Sequence, residues 1–269
     1  MPAQDETPAP PGIDVTNPSI ARAYDAVLGG KDNYAPDRAV ADELMKVMPE
    51  IRELAWDNRA LLGRGVRYLA REAGVRQFID LGSGLPTVEN THQVAQSEAV
   101  DARVVYVDND PIVLAHGRAI LAENDRTAVV SADLRDPEGV LGHDRVRDLI
   151  DLSEPVAVLL VGMLHHLHDD EGPKRIVEAY MDAVPSGSHL FLTHFCRSGP
   201  DAEALEKTFL HFLGTGRFRT RDEVAEYLDG LDLVDPGLVY LPEWRPDKPV
   251  EYPLSVRERL MIGAIGRKP

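Results

Sequence analysis

The chain has 269 residues, of which 43% are hydrophobic and 28% are charged, and its formal net charge is -16. Such acidity argues against binding to nucleic acid, because that affinity depends mainly on the attraction between cationic side chains and phosphates. No apolar stretch is long enough to span a membrane, and the single cysteine, Cys196, rules out an internal disulfide. We therefore expect a cytoplasmic protein. Its expected partner is a small molecule or another protein.

The N-terminal quarter of the chain predicts a tail followed by helices. Residues 1–15 are polar and proline-rich. They lack the basic and apolar segments of a secretory signal, and we expect them to be disordered. Ser19 is a typical N-cap and Gly29-Gly30 a typical helix stop. Helices are predicted over residues 20–28, from Pro36 onward, and over residues 50–71. Residues 16–75 should therefore form an N-terminal helical cap.

From residue 76 onward, strand patterns alternate with helix patterns, which is typical of a mainly parallel sheet with helices on both faces. Strands are predicted near residues 77–81, 103–107, 127–131, 155–161 and 188–195. Helices are predicted near residues 88–97, 111–123, 137–150, 170–183 and 201–213, and a capping box at Thr220–Glu223 opens another helix that ends at about Leu228. Short strands over residues 231–234 and 237–241 precede a last strand over residues 259–266. No helix comes before that last strand, so it should run antiparallel.

The first two predicted strands of the sheet each end at an aspartate. Asp80 lies two residues before the first glycine of a pair, Gly82 and Gly84, and Asp108 closes the next strand. Glycines let the backbone approach a ligand closely, and a carboxylate at the second position can accept hydrogen bonds from both hydroxyls of a ribose. Thr87 stands where a dinucleotide fingerprint has its third glycine or alanine. Because Asp80 also suits a ligand with positive charge, the pattern indicates a nucleoside cofactor other than a dinucleotide.

These residues resemble a known family. The segment Asp80–Gly84 resembles the first motif of class I S-adenosylmethionine-dependent methyltransferases, and the resemblance continues through Asp108 and residues 131–134 to the reversed last strand. Arg22, Tyr24 and residues 28–34 are similar to the opening of an actinobacterial methyltransferase family with an N-terminal helical cap. The resemblance implies an α/β, Rossmann-like methyltransferase fold with a mainly parallel seven-stranded sheet. It also implies that residues 76–269 form the domain that binds S-adenosyl-L-methionine.

The resemblance implies a role for individual residues in binding this cofactor. Asp80 would lie beside the cationic methionine end, with Gly82, Ser83 and Gly84 giving backbone access. Asp108 would accept hydrogen bonds from the ribose hydroxyls. The remaining expected cofactor contacts are Asn109, Asp133 and Leu134 around the adenine, Met163 after the fourth strand, Tyr24 and Asn33 from a cap hinged at Gly29-Gly30, and Arg59 at the methionine carboxylate.

Three histidines follow the fourth predicted strand, namely His165, His166 and His168. No HExxH or CxxC motif accompanies them, so we predict no metal site. In the family that the sequence resembles, this turn faces the cofactor and the acceptor. His165 and His166 are therefore candidate general bases, although packing or the start of a helix explains them equally well. His194, at the end of the fifth strand, is a further candidate contact of the acceptor.

The predicted reaction is in-line transfer of the methyl group to an O, N or C atom of an acceptor, which we expect to be a small molecule and, as an alternative, a protein. Two other functions stay open. One is a non-catalytic regulatory module that binds S-adenosylmethionine. The other is a nicotinamide-dependent oxidoreductase, which Asp80 and Thr87 disfavour. Trp244 and Tyr252 suggest an aromatic pocket for the acceptor, or alternatively a surface loop packed by its own side chains.

Overall fold

The computed structural model describes residues 14–87, 89–121 and 125–269, including all side chains outside residues 118–121. Of the tail predicted over residues 1–15, all but the last two residues lie outside this description. No helix within these ranges is long and apolar enough to cross a membrane.

Three helices precede the sheet, as predicted. They are α1 (Ile20–Leu28), α2 (Ala35–Val47) and α3 (Ile51–Arg71). Ser19 Oγ accepts a hydrogen bond from the Arg22 backbone N–H, and Gly29 takes the left-handed conformation, with a φ of 83°, that ends α1. Both predicted ends of α1 are therefore confirmed. The α1 and α2 helices are joined by an ion pair between Arg22 and the fully buried Asp37, with 3.4 Å between Nε and Oδ2.

The strands form one sheet that is mainly parallel. They are β1 (Gln77–Leu81), β2 (Arg103–Asp108), β3 (Thr127–Ser131), β4 (Ala157–Val161), β5 (His189–Phe195), β6 (Asp232–Leu233), β7 (Val239–Tyr240) and β8 (Met261–Arg267). Their order is β3-β2-β1-β4-β5-β8-β6, and the short β7 also pairs with β8. β1 to β5 are parallel, whereas β8 is antiparallel to β5, β6 and β7. The sheet is thus seven strands wide with a reversed last strand, which confirms the predicted fold.

The remaining helices are α4 (Thr91–Glu98), α5 (Pro111–Leu121), α6 (Pro137–Gly142), α7 (Asp144–Leu149), α8 (Pro173–Asp182), α9 (Pro200–Leu213) and α10 (Arg221–Ala225). The single helix predicted over residues 137–150 is wrong. His143 has an extended backbone, and its Nδ1 accepts a hydrogen bond from the Arg145 N–H, so it ends α6 and caps α7. The predicted capping box at Thr220 is confirmed, and it opens α10.

The core consists of two large apolar clusters and one small cluster. The first large cluster joins α3 to the sheet, with Leu61 and Val66 of the helix in the same group as Phe78 and Leu159 of the strands. Because α3 packs directly on the sheet, it belongs to the layered core, and Val27 of α1 and Leu44 of α2 extend the same apolar cluster. The boundary predicted at residue 75 stays a prediction.

Candidate active site

A narrow cleft lies at the carboxyl ends of β1 and β2, where parallel α/β sheets bind their ligands. Its lining includes Arg59, Asp80, Ser83, Gly84, Thr91 and Tyr106. The cavity volume is about 30 Å³, whereas ligand sites commonly have roughly 300–1,000 Å³. A nucleoside therefore requires a shift of the lining. A larger cavity of about 570 Å³ lies at the amino ends of the strands and contains none of the predicted site residues.

Asp80 lies in β1 with only 6% of its surface exposed. Its Oδ2 accepts a hydrogen bond from Thr91 Oγ1 at 2.7 Å. Burial raises the pKa of this carboxyl to about 6, and the hydrogen bond from Thr91 and the positive charge of Arg59 partly offset that effect. A buried carboxylate of this kind is stabilised by a cation placed beside it. Asp80 therefore has the electrostatic properties expected of a site for a cationic group.

The glycine loop after β1 depends on backbone conformations that favour glycine. Gly82 has a φ of 72° and Gly84 a φ of 66°, both in the left-handed region. A Cβ on Gly82 would lie 2.4 Å from Sδ and Cε of Met163, whereas a Cβ on Gly84 would have no atom within 4 Å. Met163 thus packs on the first glycine, while the second leaves the backbone open to a ligand.

Asp108 connects this loop to the end of β2. Its Oδ2 accepts a hydrogen bond from the Gly84 N–H at 2.8 Å, and its Oδ1 accepts one from the Asp110 N–H at 2.9 Å. Burial raises its pKa, and these two backbone donors act in the opposite direction. Each carboxylate oxygen keeps a second lone pair for a further donor. The neighbouring Asn109 is exposed.

Asp133 and Leu134, after β3, are not among the residues that line the cleft. Asp133 is held by Arg135, whose Nε lies 2.9 Å and 3.0 Å from the two carboxylate oxygens. Arg135 also donates to Glu171 at 2.7 Å, and its hydrogen bonds lower the pKa of Asp133. Leu134 is buried, and its carbonyl accepts a hydrogen bond from the Tyr180 hydroxyl at 2.9 Å. Asp133 is therefore charged, but contact with an adenine would compete with Arg135.

Asn33 is bound within its own loop. Its Nδ2 donates to Asp25 Oδ2 at 2.8 Å and to the Gly30 carbonyl at 3.0 Å. The same Asp25 oxygen accepts a hydrogen bond from the Asp32 N–H at 2.9 Å, and a Cβ on Gly30 would lie 2.0 Å from Asp25 Oδ1. Hydrogen bonds and close packing thus hold this loop in the structure, and the expected hinge at Gly29-Gly30 stays a prediction. Contact of Asn33 with the cofactor stays a prediction.

Tyr24 belongs to a hydrogen-bonded chain that the sequence did not reveal. Its hydroxyl donates to the Ala55 carbonyl at 3.1 Å and accepts from Asn58 Nδ2 at 3.4 Å. Asn58 Oδ1 accepts a hydrogen bond from Thr193 Oγ1 at 2.7 Å. The chain links α1 and α3 to the end of β5. Residues 58 and 193 are too far apart in the sequence for any local pattern to connect them.

The candidate general bases do not line the cleft. His165 and His166 lie in a single 3₁₀ turn, Leu164–His166, and are 3% and 8% exposed. The His165 ring packs on Phe195 and Phe209, with ring centroids 4.8 Å and 6.3 Å apart. Burial lowers the pKa of both imidazoles, that of His166 to about 4. The structure thus places both rings in a buried aromatic cluster, which favours the packing alternative, and a catalytic role stays a prediction.

His194 is fully buried and hydrogen-bonded on both sides. Its Nδ1–H donates to the Phe195 carbonyl at 2.7 Å, and its Nε2 accepts from Arg219 at 3.1 Å. Burial lowers its pKa to about 3. Arg219, only 4% exposed, also donates to the Leu164 and Leu167 carbonyls at 3.1 Å and 3.0 Å. A buried guanidinium therefore fixes the turn after β4, and nothing in the sequence indicated this.

Trp244, Tyr252 and Cys196, the other side chains considered for the site, do not line the cleft. Trp244 is fully buried, with its ring centroid 5.9 Å from that of Tyr68. Tyr252 is 68% exposed and donates to Glu243. The two residues therefore form no common pocket. Burial raises the pKa of the Cys196 thiol. Within the described ranges, no three His, Cys, Asp or Glu side chains are grouped so that they could hold a metal ion.

Comparisons with known proteins identify the family of the chain. Residues 6–269 match the sequence profile of a family described as S-adenosyl methyltransferase. A candidate methyltransferase from Thermobifida fusca YX is 54% identical, with 96% of this chain and 98% of that chain covered and a TM-score of 0.93. A DUF574 family protein from Streptomyces avermitilis MA-4680 is 37% identical, with 95% and 99% covered and a TM-score of 0.91.

More distant structures share the fold alone. Human N-acetylserotonin methyltransferase, solved in complex with S-adenosylmethionine, is 14% identical with a TM-score of 0.50, and 86% of this chain and 57% of that chain are covered. No curated protein matches the sequence. The buried carboxylates of Asp80 and Asp108 supply hydrogen-bond acceptors beside the glycine loop, and the ammonium and ribose hydroxyls of S-adenosylmethionine are donors of the matching kind. The chain belongs to the S-adenosyl methyltransferase family and is an S-adenosylmethionine-dependent methyltransferase.

Proposed function

We propose that this methyltransferase acts on a small molecule and transfers the methyl group by in-line displacement to an O, N or C atom of that acceptor. The observation that carries the donor-binding part of this proposal is the pair of buried carboxylates, Asp80 and Asp108, at the ends of adjacent strands. The Gly84 N–H binds one of them, so the glycine loop lies between the two. A nucleoside with a cationic tail presents the matching groups, two ribose hydroxyls and positive charge.

The roles of the binding residues follow the order of the strands. Asp80 binds the ammonium of the methionyl end, and Arg59, which lines the same cleft, binds its carboxylate. Asp108 at the end of β2 accepts from the ribose hydroxyls. The segment after β3, with Asp133 and Leu134, flanks the adenine. This arrangement extends the ligand along the carboxyl edge of the sheet from β1 toward β3, in the order that the sheet dictates.

S-adenosylmethionine supplies a methyl group that is already activated by the sulfonium. The acceptor atom forms a bond to that methyl carbon as the sulfur–carbon bond breaks, and the sulfur keeps the electron pair. An acceptor that arrives protonated also releases a proton. The protein therefore contributes mainly alignment and exclusion of water. His165 and His166 reach such a proton only if the aromatic side chains that cover them move.

The N-terminal helices act as the cap that excludes water. A small apolar cluster contains Leu85 of the glycine loop and Ile112 and Val113 of α5, and Ala21 and Tyr34 pack against it. The packing of Ala21 and Tyr34 against this cluster supports a cap formed by residues 16–75. A cleft closed in this way suits a small acceptor better than a folded macromolecule, and the net charge of -16 disfavours a nucleic acid.

The test is turnover with separated acceptor pools. The protein is incubated with S-adenosylmethionine and either the small-molecule or the protein fraction of an actinobacterial extract, and S-adenosylhomocysteine is quantified. We expect its formation with the small-molecule fraction, and its loss in Asp108→Asn. Formation only with the protein fraction would refute a small acceptor. Donor binding without turnover in either fraction would instead support a non-catalytic module.

A further inference from the structure

We infer that Asn58, held in place by Thr193, binds the carboxylate of the aminoacyl end of the donor, and this inference rests on the proposed function. Asn58 is 5% exposed, and Thr193 is fully buried. The Thr193 hydroxyl donates to Asn58 Oδ1 at 2.7 Å. This bond fixes the orientation of the amide, because it determines which side of the group carries the oxygen and which carries the two N–H donors.

The N–H donors of Asn58 are not fully used within the protein. Among the described residues, Nδ2 has one hydrogen-bonding partner, the Tyr24 hydroxyl, at the long distance of 3.4 Å. An amide nitrogen carries two hydrogens, so one donor remains for a ligand. A buried donor without a partner is unfavourable. The amide therefore has an unused donor at a place where solvent hardly reaches.

The neighbours of this amide place it near the cleft. Nδ2 lies 3.3 Å from the position of a Cβ on Gly162, the first residue after β4. The next residue, Met163, packs on Gly82 of the glycine loop. Arg59, adjacent to Asn58 in α3, lines the cleft together with Asp80. The amide is thus connected to the glycine loop through Gly162 and Met163, and it lies on the β4 side of that loop.

The order of the strands identifies which end of the ligand lies near Asn58. β1 lies between β4 and β2, and β3 lies beyond β2. With the ribose at Asp108 on β2 and the adenine after β3, the opposite end of the ligand lies at β1 and β4. That end carries the α-carboxylate and the ammonium. Asp80 suits the ammonium, while Asn58 and Arg59 offer the donors that a carboxylate needs.

The test compares two ligands that differ only at this end. S-adenosylhomocysteine carries the aminoacyl group, and 5′-methylthioadenosine lacks it. Their dissociation constants are measured by calorimetry for the wild type, Asn58→Leu and Thr193→Val, with Asn17→Leu as a surface control. Loss of a hydrogen bond to a charged group corresponds to about a tenfold or larger change. We expect that loss for S-adenosylhomocysteine in Asn58→Leu, a smaller loss in Thr193→Val, and a change of less than about twofold for 5′-methylthioadenosine.

If the folded variants lose affinity for both ligands equally, the role of Asn58 is merely structural and the inference is overturned. Unchanged affinity for both ligands would also overturn it. Thr193→Val preserves the shape of the buried side chain, so it supplies the answer if Asn58→Leu does not fold. Failure of the wild type to bind either ligand would refute the proposed function, and this inference with it. The two failures are therefore distinguishable.

Discussion

Replacing Asp80 with asparagine should stabilise the free protein and at the same time weaken its binding of the donor. Burial raises the pKa of Asp80 from 3.8 to about 6. A carboxyl whose pKa is higher in the folded state binds more protons there than in the unfolded chain. Its contribution to stability is therefore present at low pH and is lost as the pH rises through the folded pKa. Asparagine keeps an oxygen that can accept the hydrogen bond from Thr91.

The size of the effect follows from the shift in pKa. A rise of about two units corresponds to about 3 kcal/mol of lost stability at pH 8, and about half of this loss is already present at pH 5. We expect Asp80→Asn to exceed the wild type in free energy of unfolding by about 1–3 kcal/mol at pH 8. That advantage should shrink by about 1.5 kcal/mol at pH 5.

The measurement is urea denaturation followed by circular dichroism at pH 5, 6.5 and 8, together with calorimetry of S-adenosylhomocysteine binding at pH 8. Asp42→Asn, which removes an exposed carboxylate of α2, is the matched control. The reasoning is refuted if Asp80→Asn is less stable than the wild type at pH 8, or if the difference between them does not change with pH. Unchanged ligand affinity in the variant would refute the binding role.

Three further predictions concern the glycine loop, the ribose contact and the turn after β4. Gly82→Ala should destabilise the fold more than Gly74→Ala by about 1–3 kcal/mol in urea denaturation, because both glycines have a φ near 72° but only Gly82 has Met163 at its Cβ position. Asp108→Asn should weaken S-adenosylhomocysteine binding by about 10- to 100-fold in calorimetry, and a change below twofold would contradict its assignment. Arg219→Met should lower the free energy of unfolding by about 3 kcal/mol or more, since it leaves buried carbonyls without donors, and Arg219→Lys should not restore it.

The layout of the fold could be predicted because its signals are local. Long apolar runs such as that of β4 are buried on both faces of the sheet, and they stand out in the sequence. Ser19 and Thr220 mark helix starts through contacts only three residues away. The error over residues 137–150 has a local cause too, because His143 caps α7 with its ring nitrogen, and histidine is not among the residues that favour this position.

The parts of the site that could not be predicted depend on long-range contacts. The hydrogen bond between Asn58 and Thr193 joins residues 135 positions apart, and that between Arg219 and Leu164 joins residues 55 positions apart. For the histidines after β4, the sequence suggested a function that the packing of the rings does not support. Their residue type suggests chemistry, but the direction in which each ring points depends on the packing of α9 and β5. The structure turns His165 toward Phe195 and Phe209.

The site residues that the sequence did predict share one property, which is that they are unfavourable for folding. An aspartate within a fully buried strand, as Asp80 is, and glycines held at positive φ reduce stability unless a ligand or a neighbour compensates. Such residues contradict their local pattern, so the sequence reveals them without any knowledge of tertiary contacts. Asn58 and Arg219 do not contradict their local sequence pattern, because a polar residue is ordinary in an amphipathic helix or a loop. Their importance arises only when the fold buries them, which is why a structure was needed to find them.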